Sequence, residues 1–325
     1  MIKFSPANIR SWALLGQRGT FGKTVFDLAG ENEKIIAMTA DQAALIGLGR
    51  FEKQYPDRYF NMGISEQNAI NVAAGLASEG FVPFLAFQAA FASMRCADQA
   101  HVAMAYMKSN VKLVGIFTGL TQGECGPTHL GLHDIALYRT FPNITVLSPC
   151  DATQTVKMMI AMAENQQPTY MRIGGPNNIP VVYKEDFDFE IGKAITLREG
   201  TDVTVIATGA MVYNSLKAAE KLAENGISVK VVDMHTIKPL DEEAVKSACS
   251  AKLIVTVEEH SVYGGLGSAV AEALALEQNK PPHLIIGVSG DYPHAASYPY
   301  LLEQTGLTPD KIALKIQNTY QEITK

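Results

Sequence analysis

Two rhythms of apolar and polar positions alternate along this chain. Short runs that are apolar on both faces, "KIIAMTA" (34–40), "FVPFLAF" (81–87), "VKLVGIFTG" (111–119), "ITVLSP" (144–149) and "PTYMRIG" (168–174), predict buried strands. Between them, residues 66–78, 92–108 and 151–163 place their apolar side chains at helical spacing. Strands of this kind separated by helices predict a parallel sheet covered on both sides. The rhythm breaks over "GGPNNIPVVYKEDFDFE" (174–190), where Gly, Pro, Asn and mixed charge have the composition of an inter-domain connection. It resumes with "VTVIATG" (203–209), "ISVKVVDM" (227–234), "KLIVTVEE" (252–259) and "HLIIGV" (283–288). The expected architecture is two parallel-sheet α/β domains, residues 1–185 and 186–325.

One helical window is chemically odd. In "GISEQNAINVAAGLASEG" the positions Ala69, Ile70, Ala73, Ala74 and Ala77 form a face of small side chains that admits close approach of another element. Ser65 stands at the N-cap position, which puts Glu66 in the first turn. A carboxylate there complements the helix dipole, yet a lone Glu among alanines also suits a functional group. A second stretch, "GLTQGECGPTHLGLHD" (119–134), follows a strand and carries four glycines and a proline. Such a backbone can approach a ligand closely, and ligands of parallel α/β sheets sit beyond the strands' carboxyl ends. Cys125, His129 and His133 have a spacing that metal sites use, but the paired ligands of a structural zinc site are missing. His129 reads better as a substrate hydrogen-bonding group. A third stretch, "YGGLGSA" (263–269), lacks the third glycine and the acidic residue of a dinucleotide fingerprint, and reads as a tight turn.

Composition narrows the classes. A chain of 325 residues with 47% apolar and 18% charged residues has room for two domains with sizeable cores. Net charge is −6 and cations are not clustered, which argues against a nucleic-acid surface. No apolar run approaches the roughly 20 residues that span a bilayer, and "MIKFSPANIRSWALL" lacks the pattern of a secretory signal. The four cysteines (Cys96, Cys125, Cys150, Cys249) are scattered, as free thiols in a reducing cytoplasm would be.

Four long stretches together resemble the transketolase family: "DRYFNMGISEQNAINVAAGLASEG" (57–80), "GECGPTHLGLHDIALYRTFPNITVLSPCD" (123–151), "HTIKPLD" (235–241) and "VEEHSVYGGLGSAVAEAL" (257–274). They occur in the order of that enzyme's C-terminal half and cover nearly the whole chain. The resemblance implies a thiamine diphosphate pyrimidine-binding domain followed by a transketolase C-terminal domain. It implies that Glu66, within "G-I-x-E-Q" beside Ile64, hydrogen-bonds the ring nitrogen of the cofactor's aminopyrimidine. A carboxyl in apolar surroundings can share its proton with that ring. It also implies that Phe91, or alternatively Phe87, packs on the aminopyrimidine. Asp41 and His129 would line the reacting carbons, and Arg172 would grip an anionic substrate end.

The departures carry as much information. The family holds the diphosphate through Mg²⁺ with a Gly-Asp-Gly motif, and this chain has none; "SGDYP" (289–293) is the nearest string. The expectation is therefore the C-terminal chain of a split transketolase. An N-terminal transketolase subunit would hold Mg²⁺ and the diphosphate, the two chains would assemble as α2β2, and the enzyme would be cytoplasmic. The implied reaction moves a two-carbon ketol unit from a ketose to an aldose. Where single-chain transketolases carry a His-Asp pair and an Asp before "GPTH", this chain has Phe117, Thr118 and Cys125, so its sugar is left open. Three alternatives stand beside this reading. A 1-deoxy-D-xylulose 5-phosphate synthase would carry an Arg near Thr118–Thr121, which is absent; the beta chain of a 2-oxoacid dehydrogenase would decarboxylate pyruvate; a non-catalytic scaffold would be indifferent to loss of Glu66.

Overall fold

The computed structural model describes residues 2–176 and 180–325, so the part of the predicted connection at 177–179 lies outside the described residues. Seven strands form the first sheet: β1 (Ile35–Thr39), β2 (Tyr59–Asn61), β3 (Val82–Gln88), β4 (Lys112–Thr118), β5 (Thr145–Leu147), β6 (Thr169–Gly174) and β10 (Thr236–Lys238). Five more form the second: β7 (Ile195–Arg198), β8 (Val203–Ala207), β9 (Val229–Asp233), β11 (Leu253–Ser261) and β12 (His283–Val288). The spatial orders are β10-β5-β6-β4-β3-β1-β2 and β12-β11-β8-β9-β7. All pairings are parallel except β10 with β5 and β7 with β9.

The two sheets are thus the expected parallel sheets, each with one antiparallel edge strand added. Both antiparallel strands sit at edges, where a short pairing covers the open ladder. One of them, β10, comes from the second half of the chain and completes the sheet of the first. Successive residues of β3 explain why the central strands read as continuous apolar runs. Phe84 and Ala86 face one core cluster with Phe21, Ile116 and Met171, while Leu85 and Phe87 face another with Met38, Ile70 and Leu113. Both faces are buried, so period-two alternation is erased.

Two helical segments differ from the pattern in the sequence. The helix Pro6–Glu31 has no clear periodic signal, and Gly16 breaks it with φ 66° and ψ 176°, a conformation that favours glycine. Residues 92–108 do not form one regular helix: Phe91–Arg95 and Ala100–Tyr106 are π-helical. At the first of these, the Tyr138 hydroxyl donates to the Ala92 carbonyl (2.6 Å) and the Ser93 hydroxyl to the Ala89 carbonyl (2.7 Å), bonds that compete with the regular backbone ladder.

The described part of the connection is held down. Val182 and Tyr183 amides donate to Asp151 Oδ2, both at 2.8 Å, and the Tyr183 hydroxyl donates to Asp233 Oδ2 at 2.7 Å. No helix among the described residues is long and apolar enough to cross a membrane.

Candidate active site

Strands β1, β2, β3, β4 and β6 run parallel, so whatever follows each of them emerges at one edge of the sheet. Asp41 follows β1, Glu66 follows β2, Phe91 follows β3 and His129 follows β4. Residues far apart in sequence are brought together by topology alone.

Glu66 opens the helix Glu66–Ser78 and its carboxylate is buried, with 3% of the residue exposed. Ser65 occupies the N-cap position, but its hydroxyl makes no capping bond; it donates to the Met62 carbonyl at 2.5 Å and tightens the turn entering the helix. Ile64 is 77% exposed in that turn. The surroundings of Glu66 are not purely apolar, as its neighbours in sequence would suggest: Arg95 Nη1 donates to Glu66 Oε1 at 2.6 Å. The same guanidinium lies 4.0 Å from the centroid of the Phe91 ring. On another side, Phe91 meets the His129 ring edge-on with centroids 5.3 Å apart. His129 is half-buried, and its Nδ1 is 2.9 Å from the Thr128 hydroxyl. Cys125 is exposed on the same loop, its thiol 3.8 Å from Gln122 Oε1.

Asp41 is exposed and adopts φ 59°; its amide donates to Asn61 Oδ1 at 3.0 Å, which ties the loop after β1 to the end of β2. Phe117, at the end of β4, adopts φ 57°. Such conformations cost non-glycine residues about 1–2 kcal/mol and gather at functional edges.

Two site expectations fail. Phe87 lies inside the core beneath the sheet, fully buried, and cannot reach a bound ring. The side chain belongs to an inward position of β3, whereas Phe91 lies past the strand's end. Arg172 is also unavailable to a substrate. It sits within β6, 4% exposed, and donates from Nε to Asp134 Oδ2 (2.9 Å) and from Nη2 to Asp134 Oδ1, the Gly131 carbonyl and the Glu259 carbonyl (each 3.2 Å). Burial opposes ionisation of Asp134, but the charge and hydrogen bonds of Arg172 hold its carboxyl below the ordinary range. This pair joins β6, the Gly-rich loop and β11 of the second sheet.

Two cations near the strand ends are not legible in the sequence pattern. Arg95 is visible in "FASMRCADQ", four residues after Phe91, but nothing in the string places it on Glu66. Arg18 lies just past the Gly16 break. Gln17 anchors that point at the strand ends, accepting from the Gly174 amide (3.0 Å) and donating to the Pro149 carbonyl (2.8 Å). Arg18 therefore stands at the same edge, its guanidinium 4.1 Å from the Phe117 ring centroid and Nη1 3.4 Å from the Leu45 carbonyl.

The second sheet supplies support rather than reacting groups. Glu259 Oε1 accepts from the Leu120 amide (2.6 Å) and Oε2 from the Tyr298 hydroxyl (2.8 Å), fastening the Gly-rich loop. Gly119, φ 63°, has no room for a side chain, since a Cβ would stand 2.2 Å from Glu259 Oε1. Glu258 accepts from the Leu266 and Gly267 amides (2.7 and 2.8 Å), filling the helix N-terminus within "YGGLGSA" that a nucleotide diphosphate would need. Burial raises both carboxyls to about 7.

The donor set suits the pyrimidine half of thiamine diphosphate: a buried carboxylate and an aromatic face lie close enough for one flat guanidinium, that of Arg95, to touch both. Among the described residues no group of three or more His, Cys, Asp or Glu could hold a metal ion.

Comparison with known proteins assigns the class. Residues 16–177 match the pyrimidine-binding domain of transketolase, and residues 192–312 match the transketolase C-terminal domain. The chain belongs to the transketolase family. It is 42% identical over 277 residues to a subunit of the apulose-4-phosphate transketolase of Phocaeicola vulgatus, covering 85% of this chain and 88% of that one. It is 40% identical over 297 residues to the 6-deoxy-6-sulfo-D-fructose transketolase subunit SqwH of a Clostridium species, covering 91% of each. A solved split gene transketolase, described as an inactive beta4 tetramer, superposes with a TM-score of 0.85 at 38% identity, covering 94% of this chain and 98% of that one.

Proposed function

We propose that this chain is the C-terminal subunit of a split, thiamine diphosphate-dependent transketolase that moves a two-carbon ketol unit from an anionic ketose to an aldose. The observation that carries the reading is the buried Glu66 carboxyl and the Phe91 face, bridged by Arg95, at the carboxyl edge of the first sheet. The bound cofactor would supply a carbon nucleophile and a sink for the electrons of the broken carbon–carbon bond. Glu66 would hydrogen-bond the pyrimidine's ring nitrogen and shift its proton, while Phe91 packs on the ring. His129, with Nδ1 at the Thr128 hydroxyl, offers Nε2 to a substrate hydroxyl. Asp41 and Cys125 line the same edge, and Ile64 borders the entry to the Glu66 helix.

Arg18 takes the anion-gripping role that the family resemblance implies for Arg172. It is a cation at the carboxyl edge beside Phe117, and its fork suits a phosphate or sulfonate. Two relatives support an anionic sugar, since their names specify a phosphorylated and a sulfonated substrate. An N-terminal subunit would hold Mg²⁺ and the diphosphate, and the pair would assemble as α2β2 in the cytoplasm. The domain boundary falls in the connection near residue 185.

The test is coexpression with the candidate N-terminal subunit and a ketol-transfer assay over phosphorylated and sulfonated ketoses. Turnover should require both chains, and Glu66→Gln in the assembled enzyme should lower kcat by about 10²–10⁴. Efficient transfer by this chain alone, or full activity of the variant, overturns the reading.

A further inference from the structure

Arg95 already makes the two contacts that the proposed site offers a pyrimidine. Its guanidinium covers the Phe91 ring at 4.0 Å and donates to Glu66 Oε1 at 2.6 Å. A guanidinium is flat and delocalised, with donors around its rim, so one group can stack on an aromatic face and bond a carboxylate with its edge. A pyrimidine ring using that face and that oxygen would have to take the same space.

The placement is built rather than incidental. Phe91 and Arg95 lie four residues apart within one π-helical turn, which sets both side chains on one side. Gln67, next to Glu66, donates from Nε2 to the Arg95 carbonyl at 3.1 Å and fixes the distance between the two segments. The two side chains differ in freedom: that of Glu66 is 4% exposed and that of Arg95 41%. Arg95 can therefore swing into solvent without opening the core, whereas Glu66 stays where it is.

We infer that Arg95 is a built-in occupant of the pyrimidine cradle in the unassembled chain, displaced when the cofactor enters. The inference rests on the thiamine reading of the site and adds a gate to it. Arg95 keeps the buried Glu66 carboxylate paired, which avoids the cost of an isolated internal charge. On binding, the cofactor must outcompete it, so the free chain holds the cofactor weakly until assembly adds the second half of the site.

The probe is 4-amino-5-hydroxymethyl-2-methylpyrimidine added to the full chain. In the wild-type protein, the Arg95 side-chain Nε–H resonance, assigned with Arg95→Lys, should shift as the pyrimidine binds. Arg95→Gln should bind the pyrimidine roughly tenfold more tightly, the loss of one competing cation–aromatic contact and one half-exposed ion pair. An unmoved Arg95 resonance at a concentration where ligand signals report binding overturns the inference, as does equal or weaker binding by a folded Arg95→Gln chain. Failure of the thiamine reading has a different signature: neither this chain nor its assembly with the N-terminal subunit retains thiamine diphosphate, whichever residue stands at 95. That outcome overturns both.

Discussion

Arg172→Met separates a strut from a substrate grip. Arg172 and Asp134 are 4% and 0% exposed, so no solvent screening discounts their pairing. Removing one partner strands a buried carboxylate, which costs about 3–5 kcal/mol. With an unfolding entropy of about 2.1 cal/mol/K per residue, a chain of 325 residues loses roughly 0.7 kcal/mol of stability per degree near its midpoint. The expected fall in Tm is therefore roughly 4–7 °C by differential scanning calorimetry. Adding Asp134→Asn should recover most of it, because the Tyr170 hydroxyl, now 2.7 Å from Asp134 Oδ2, can still donate to the amide oxygen. The reasoning is refuted if Arg172→Met melts like the wild type while the KM for an anionic ketose rises tenfold or more.

Arg18→Met should raise the KM of the assembled enzyme for phosphorylated or sulfonated ketoses about 10–100-fold; an unchanged KM removes Arg18 from the proposed substrate site. Burial raises the folded-state value of Asp233 to about 7, so its contribution is favourable below the unfolded carboxylate range and is lost as pH rises toward 7. Asp233→Asn should therefore gain on the wild type by about 1.4 kcal/mol per pH unit between roughly pH 4.5 and 6.5. Urea unfolding at the two ends of that window measures it, and a constant difference between the proteins refutes it.

How much can be read from the string varies residue by residue. Glu66 announces itself as a lone carboxylate at the start of a helix whose predicted bounds match the observed Glu66–Ser78. The central strands are equally plain, because burial on both faces leaves uninterrupted apolar runs. Short edge strands are not: β2 and β10 span three residues each and owe their pairing to neighbours, not to their own pattern. The helix Pro6–Glu31 is obscured by the Gly16 break and by weak amphipathicity.

What the sequence by itself determined is a two-domain α/β chain of the transketolase family, with a lone carboxylate opening an alanine-rich helix and no Gly-Asp-Gly motif. Those properties follow from residue type and local order. The tertiary structure buried Phe87 and set Phe91 beside Arg95 and His129, since the two differ in lying before or after the end of β3. It also turned Arg172 inward, brought Arg18 to the edge and laid Arg95 across Glu66 and Phe91. A side chain's partners depend on where its strand ends and what crosses above it. Parallel topology, which gathers the ends of distant strands at one edge, sets that for every residue of this site.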